Sequence, residues 1–193
     1  LHDALPIFAG ASTTGANDLV VLGNPGDVAA TVQLTVYGAQ GVSAPASGAG
    51  IVVPAGGQRV IPLAGLLLGE ESPVVRVVAT GAPVRASLQA GLTRVLRPGG
   101  SDQAAPLAQA STSLVIPGVQ VVTASAGDAG TVLRLLAPGS ATSATVTITP
   151  VGSGTPAENP RTLDLPAGTP TSLDLSSLAP GAYTVSIDAA QPV

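Results

Sequence analysis

The stretch VAATVQLTVYG, residues 28–38, decides the fold. Val28, Ala30, Val32, Leu34 and Val36 fall on one face of an extended chain, and Ala29, Thr31, Gln33, Thr35 and Tyr37 on the other. Strand side chains alternate at period two, so this pattern predicts a strand with one apolar, core-facing side and one polar side. An amphipathic helix needs apolar residues at spacings of three and four, and no segment shows a long stripe of that kind.

Moving outward, the same alternation marks DLVVLGN (18–24), GIVVPA (50–55), QRVIPL (58–63), PVVRVVAT (73–80) and PVRASLQAG (83–91). Between these lie turn signals: Asn24-Pro25-Gly26-Asp27, Ala55-Gly56-Gly57 and Thr80-Gly81. LAGLLLGEE (63–71) is expected to form a single helical turn. Several short strands punctuated by Gly and Pro predict an all-β fold.

The second half repeats the first. LVVLGNPGDVAATVQLTVYGAQG (19–41) aligns with VLRLLAPGSATSATVTITPVGSG (132–154), placing Pro25-Gly26 on Pro138-Gly139. One inserted residue brings Thr31-Val32 onto Thr145-Val146 and Leu34 onto Ile148, and the alternation is preserved. Further on, VPAGGQRVIPLAGL (53–66) aligns with LPAGTPTSLDLSSL (165–178). Two modules of this size predict two tandem immunoglobulin-like β-sandwiches, at 8–100 and 111–193. RPGGSDQAAPLAQAS (97–111) is rich in Pro, Gly, Ala and Ser, and residues 101–110 are expected to be a linker. In the first module TGAPV (80–84) leads into the strand beginning RASL. In the second, Pro192-Val193 stands at the equivalent place, so this sandwich is expected to be truncated, lacking its last strand.

LAPGAYTVSID (178–188) has the form of a tyrosine corner: leucine, a Pro-Gly turn, then Tyr183 at the head of an alternating strand. In such a corner the phenol oxygen bonds backbone a few residues upstream, so Tyr183 is expected to be buried and to bond a backbone group within 177–180. The first module has Pro73 and Val74 there and no tyrosine. Pro25, Gly26, Pro138, Gly139 and Tyr183 are thus expected to be structural residues.

The opening LHDALPI (1–7) reads differently from the rest. It resembles the conceptual translation of a common sequencing-adapter string, CTACACGACGCTCTTCCGATCT, whose spare T is compatible with a Phe8 codon. Leu1–Ile7 is therefore expected to be foreign and to add no strand, and the remaining chain contains no histidine. The 193 residues include no Cys, Met or Trp, and all seven basic residues are arginine. An Ala-, Gly-, Pro- and Arg-rich, lysine-free composition points to a high-GC bacterial genome.

These absences restrict the chemistry. Nucleophilic and acid–base catalysis draw on His, Cys, Lys, Tyr or carboxylates, and without His or Cys no Ser/His/Asp triad or zinc site can be assembled. Charged residues make up 9% of the chain, against about 25% in ordinary domains. The net charge of −4 is dispersed, which argues against nucleic-acid binding. No apolar run approaches the ~18 residues of a membrane-spanning helix. Glu70 and Glu71 are expected in a solvated loop. Asp18, Asp27, Asp102 and Asp128 stand near turns, where oxygen ligands for Ca²⁺ could arise, but their spacing matches no calcium loop. No catalytic, cofactor-binding or metal residue is expected. Among the three aromatics, Tyr37, on the polar face of its strand, is the candidate platform for a sugar ring, or else a cross-strand packing partner.

The stretch FAGASTTGANDLVVLGNPGDVAATVQLTVYGAQG (8–41), with GAPVRASL (81–88) and LVIPGV (114–119), resembles an uncharacterised family of exported actinobacterial proteins. The resemblance implies a secreted or envelope-associated protein without assigned activity. The expected function is a non-enzymatic structural spacer or interaction module of the cell envelope, with an envelope protein or polysaccharide as partner. The alternative is a carbohydrate- or polymer-binding accessory module.

Overall fold

The diagnostic stretch forms strand β3, Ala30–Gly38. Val32, Leu34 and Val36 are completely buried, while Thr31 is exposed and Gln33 and Thr35 are half-buried. Each of the three contributes about 1.5–3 kcal/mol of burial, so period two is enforced by the core rather than by local preference alone. The computed structural model containing it describes residues 7–94, 97–107, 110–123 and 130–193. Among these the protein is all-β: the helical elements are two 3-10 turns, Ala46–Gly48 and Leu63–Gly65, the latter inside the segment expected to form one turn.

The chain divides into two compact units, Leu1–Gln109 and Ala110–Val193. In the first, one sheet runs β1 (Ile7–Ala9), β7 (Val74–Thr80), β3 and β4 (Gly41–Ser43), with β5 (Ile51–Val53) also paired to β3. The facing sheet runs β6 (Gln58–Pro62), β2 (Leu19–Gly23), β8 (Arg85–Arg94) and β9 (Arg97–Ala104). The described pairings between these strands are antiparallel. Val32, Leu34, Val36, Val75 and Val77 of one sheet share a core with Val20, Leu22 and Leu88 of the other, which is the construction of a β-sandwich.

In the second unit, a sheet of β10 (Ser113–Val121), β15 (Gly181–Ala189), β12 (Thr142–Pro150) and β13 (Arg161–Leu165) faces a pair, β11 (Val132–Leu135) and β14 (Thr171–Asp174). Val146, Ile148, Val185 and Ile187 pack with Leu133, Leu135, Leu165 and Leu175.

The aligned segments hold equivalent places within the two units. β2 pairs β6 as β11 pairs β14, and β3 pairs β5 and β7 as β12 pairs β13 and β15. Individual hydrogen bonds match as well. Leu63 N–H donates to Asp18 O at 2.8 Å, and Leu175 N–H to Thr131 O at 2.9 Å. Leu66 N–H bonds Leu63 O at 2.9 Å, and Leu178 N–H bonds Leu175 O at 3.1 Å. Gly56 and Gly168 share a left-handed φ, +62° and +69°, which explains the glycine of each Pro-Ala-Gly turn.

The position of Tyr183 differs instructively. It pairs with Val119 of β10, and the corresponding pair in the first unit is Val75 with Phe8. The aromatic ring sits on the late strand in one unit and on the first strand in the other. Both rings are buried, Phe8 at 1% and Tyr183 at 5% exposure. By this register Val75, rather than Val74, stands where the second unit has its tyrosine.

Three sequence expectations are corrected. Ile7 belongs to β1 and pairs with Arg76, so the expected foreign segment does supply one strand residue; its neighbour Phe8 is anchored in the core and carries the chain along β7. Residues 1–6 lie outside the described residues. The segment read as a connector is strand to Ala104: Ala104 pairs with Leu88 and Ser101 with Gly91, because a hairpin back onto β8 satisfies backbone groups that composition alone leaves unassigned.

The third correction concerns strand order. An immunoglobulin constant domain pairs its first strand with its second, and its last with the strand before it. Here β1 joins the β7 edge, while β8 pairs with β2. β1 and β8 thus lie in the sheets opposite to those of the first and seventh strands of that domain, and β9 extends the second sheet beyond β8, a long-range choice that no local pattern records. The second unit shares the first half of this arrangement, since β10 pairs β15. Among the described residues no strand of the second unit occupies the place of β8, and β11 has one strand neighbour where β2 has two.

Candidate functional site

The Pro25-Gly26 turn is built around Asn24, whose side chain is 2% exposed. Its Nδ2 donates to Val28 O at 2.7 Å and to Val53 O at 3.1 Å, and its Oδ1 accepts from Gly26 N–H at 3.0 Å. One amide thus closes an Asx turn and ties it to β5. In the second unit the equivalent Ala137 is fully buried, and its carbonyl accepts from Gly168 N–H at 2.8 Å. The Pro138-Gly139 turn therefore holds to the Pro-Ala-Gly turn through backbone alone. Asn24 was recognisable in the sequence as part of a turn, but the burial of its side chain depends on β5, 29 residues away.

Asp18 is 7% exposed and does not face outward as a calcium ligand would. Oδ2 accepts from Ala11 N–H at 2.7 Å and Oδ1 from Gly91 N–H at 3.3 Å, joining the lead-in after β1 to β8. Asp27 is exposed, and Asp102 accepts from the adjacent Gln103 N–H at 2.7 Å. Asp128 lies outside the described residues. Among the described residues no three His, Cys, Asp or Glu side chains gather as a metal site.

Glu70 and Glu71 part company. Glu71 is exposed, whereas Glu70 is half-buried and its Oε2 accepts from Ala39 N–H at 3.0 Å. Its backbone is clasped by Ser12: Ser12 N–H donates to Glu70 O at 2.8 Å, and Ser12 Oγ accepts from Glu70 N–H at 3.0 Å. Both stand in the loop that was expected, and there the carboxylate of Glu70 satisfies a backbone donor that the β3–β4 hairpin presents.

Tyr183 closes its corner. Its hydroxyl donates to Ala179 O at 2.7 Å, inside the 177–180 window, and the ring is buried between Val119 and Pro150 of the flanking strands. Tyr37 is corrected: it is 3% exposed and cannot serve as a sugar platform. It stands beside Val42 and Val74 across its two neighbouring strands. The chain has only Phe8, Tyr37 and Tyr183 as aromatics, and all three are interior.

On the second unit's surface, Arg161 and Glu158 form an ion pair at 2.6 Å, with side chains about one-third exposed. Pairs of this kind are worth about 0–1 kcal/mol. The Ser176 hydroxyl and amide, the latter at 2.8 Å, hold the Asp174 carboxyl below its ordinary value of 3.8.

The buried polar side chains described here, Ser12, Asp18 and Asn24, are committed to backbone groups. No described helix is long and apolar enough to cross a membrane. The model of a family of unknown function, DUF5719, matches residues 5–193, and the chain belongs to that family. No curated protein and no solved structure matches it.

Proposed function

We propose that the chain is a non-enzymatic part of an exported cell-envelope protein, built from two tandem copies of an immunoglobulin-related sandwich and serving as a spacer or interaction module. The observation that carries this reading is the use made of its polar chemistry. Catalysis requires side chains that converge on a reacting group with unspent hydrogen-bonding capacity. Ser12, Asp18 and Asn24 instead bond amides and carbonyls of their own fold, and the phenol of Tyr183 does the same. The exposed positions of β12 and β13 are Ser143, Thr145, Thr162 and Asp164, a small, weakly charged surface suited to remaining hydrated beside other envelope components.

The polysaccharide-binding reading has lost its aromatic platform, since base-stacking or sugar-stacking surfaces need an exposed ring and all three rings are interior. Fractionation of the producing cells, with an antibody to the two units, tests the proposal. Recovery in the envelope or medium is expected. Recovery with the cytosolic enzymes, or turnover of any substrate by the purified chain, refutes it.

A further inference from the structure

Val75 and Val77 point into the core of the first unit, so Arg76 between them stands on the outer face of its sheet. It is half-buried there, and its Nε is sealed from solvent with no acceptor. Among the described residues Arg76 makes no hydrogen bond and no ion pair. Thr35 stands opposite it on β3, and the nearest positions of that face on β3 and β7 are Gln33, Tyr37, Val74 and Val78, none of them acidic. A guanidinium stays charged, and a partly desolvated cation is costly unless an anion pairs it. Ser12, Asp18 and Asn24 all have partners within the fold, whereas Arg76 does not.

Two hydroxyls beside it also have capacity to spare. The Thr35 and Tyr37 hydroxyls form no hydrogen bond among the described residues, and neither oxygen is sealed from solvent. Tyr37 is 3% exposed, so its ring is interior while its oxygen reaches the surface. Diagonal neighbours on one sheet face lie roughly 7–8 Å apart, within reach of long side chains. The second unit supplies the contrast. Pro150 stands opposite Tyr183 as Val36 stands opposite Val75, so Thr149, Thr184 and Val151 take the places of Thr35, Arg76 and Tyr37. The same strand pair is thus built with neither the cation nor the phenol, and Val151 is left 60% exposed. The fold does not require Arg76 and Tyr37 at these places.

We propose that Arg76, Thr35 and Tyr37 form a binding site for a singly charged oxyanion, a carboxylate or a phosphodiester. This rests on the interaction-module reading and specifies the chemistry of its ligand. The terminal nitrogens of Arg76, unbonded and open to solvent, form a fork that matches two oxygens of such a group. The two hydroxyls are neutral donors at its flank. One cation balances one negative charge, so a phosphate dianion leaves a charge uncompensated.

The probes are D-glucuronate, dimethyl phosphate and inorganic phosphate, titrated into the full chain at about pH 8, where inorganic phosphate is mostly the dianion, with chloride holding ionic strength constant. The signals followed by NMR are the amides of Thr35, Tyr37 and Arg76 and the Arg76 Nε–H. Saturable shifts with a Kd of about 1–10 mM are expected for at least one monoanion, and the tighter of the two identifies the source as carboxylate or phosphodiester. Neutral glucose should shift nothing. Tyr37→Phe, which keeps the ring, should weaken binding about tenfold. Arg76→Met, which keeps the apolar stem, should abolish it without lowering the Tm. The assignment is overturned by no saturable shift up to about 100 mM of either monoanion, by tighter binding of inorganic phosphate than of both, or by equal shifts at Thr149, Val151 and Thr184. Unchanged affinity in either variant, or a lower Tm in Arg76→Met, overturns it as well. Such failures leave the envelope location, read by fractionation, standing.

Discussion

Tyr183→Phe isolates one hydrogen bond of the second unit. The ring is 5% exposed and its packing survives the change, so the perturbation is confined to the 2.7 Å bond to Ala179 O. A typical intramolecular hydrogen bond is worth about 0.5–1.5 kcal/mol net, and leaving a buried partner unsatisfied costs more. Ala179 is exposed, so water can replace the phenol at its carbonyl and the larger penalty does not arise. The expected loss is therefore about 1 kcal/mol. In a unit of fewer than 100 residues that corresponds to a fall of about 4–8 °C in Tm. Calorimetry of the full chain should show this fall in the transition of Ala110–Val193, assigned by hydrogen exchange, and none in that of Leu1–Gln109. Tyr183→Ala, which also removes the ring, should cost about 3–5 kcal/mol. An unshifted transition in Tyr183→Phe would refute the reasoning, because the corner would then contribute nothing beyond the apolar ring.

Asn24→Ala should destabilise the first unit by about 1–3 kcal/mol, since Val53 O lies in the interior and loses its donor; an unchanged denaturation midpoint would show that water replaces the amide. Leu63→Ala and Leu175→Ala should each cost about 2–5 kcal/mol in their own units, because both leucines are at most 1% exposed and share the same hydrogen-bonded turn; a negligible effect of either in urea denaturation contradicts the equivalence. The Asp174 carboxyl titrates below 3.8 because Ser176 bonds its charged form, so this contribution is present above that pH and is lost as pH falls through the lowered folded value. Asp174→Asn should flatten the corresponding part of the pH–Tm curve of the second unit, and an identical curve in the variant would remove Asp174 from the account.

The sequence by itself determined the strands that carry a clear alternation. In β3 the alternation of Val32, Leu34 and Val36 with Thr31, Gln33 and Thr35 is a local property of an extended backbone, and the core accepts it unchanged. The Pro-Gly and Pro-Ala-Gly turns were legible for the same reason, since the conformations of two or three residues decide them. The bond from Tyr183 to Ala179 spans four residues and was legible too. What only the tertiary structure decided is which edges meet. That β1 pairs with β7 and β8 with β2, that Arg97–Ala104 folds back as a strand, and that Asn24 lies beneath β5 all depend on partners tens of residues away. Tyr37 shows the limit most clearly: its place on the polar face was correct by period, but its 3% exposure depends on the elements around that face. Alternation assigns a side chain to one side of a sheet, while burial depends on what the rest of the chain places there, and that is settled by long-range packing.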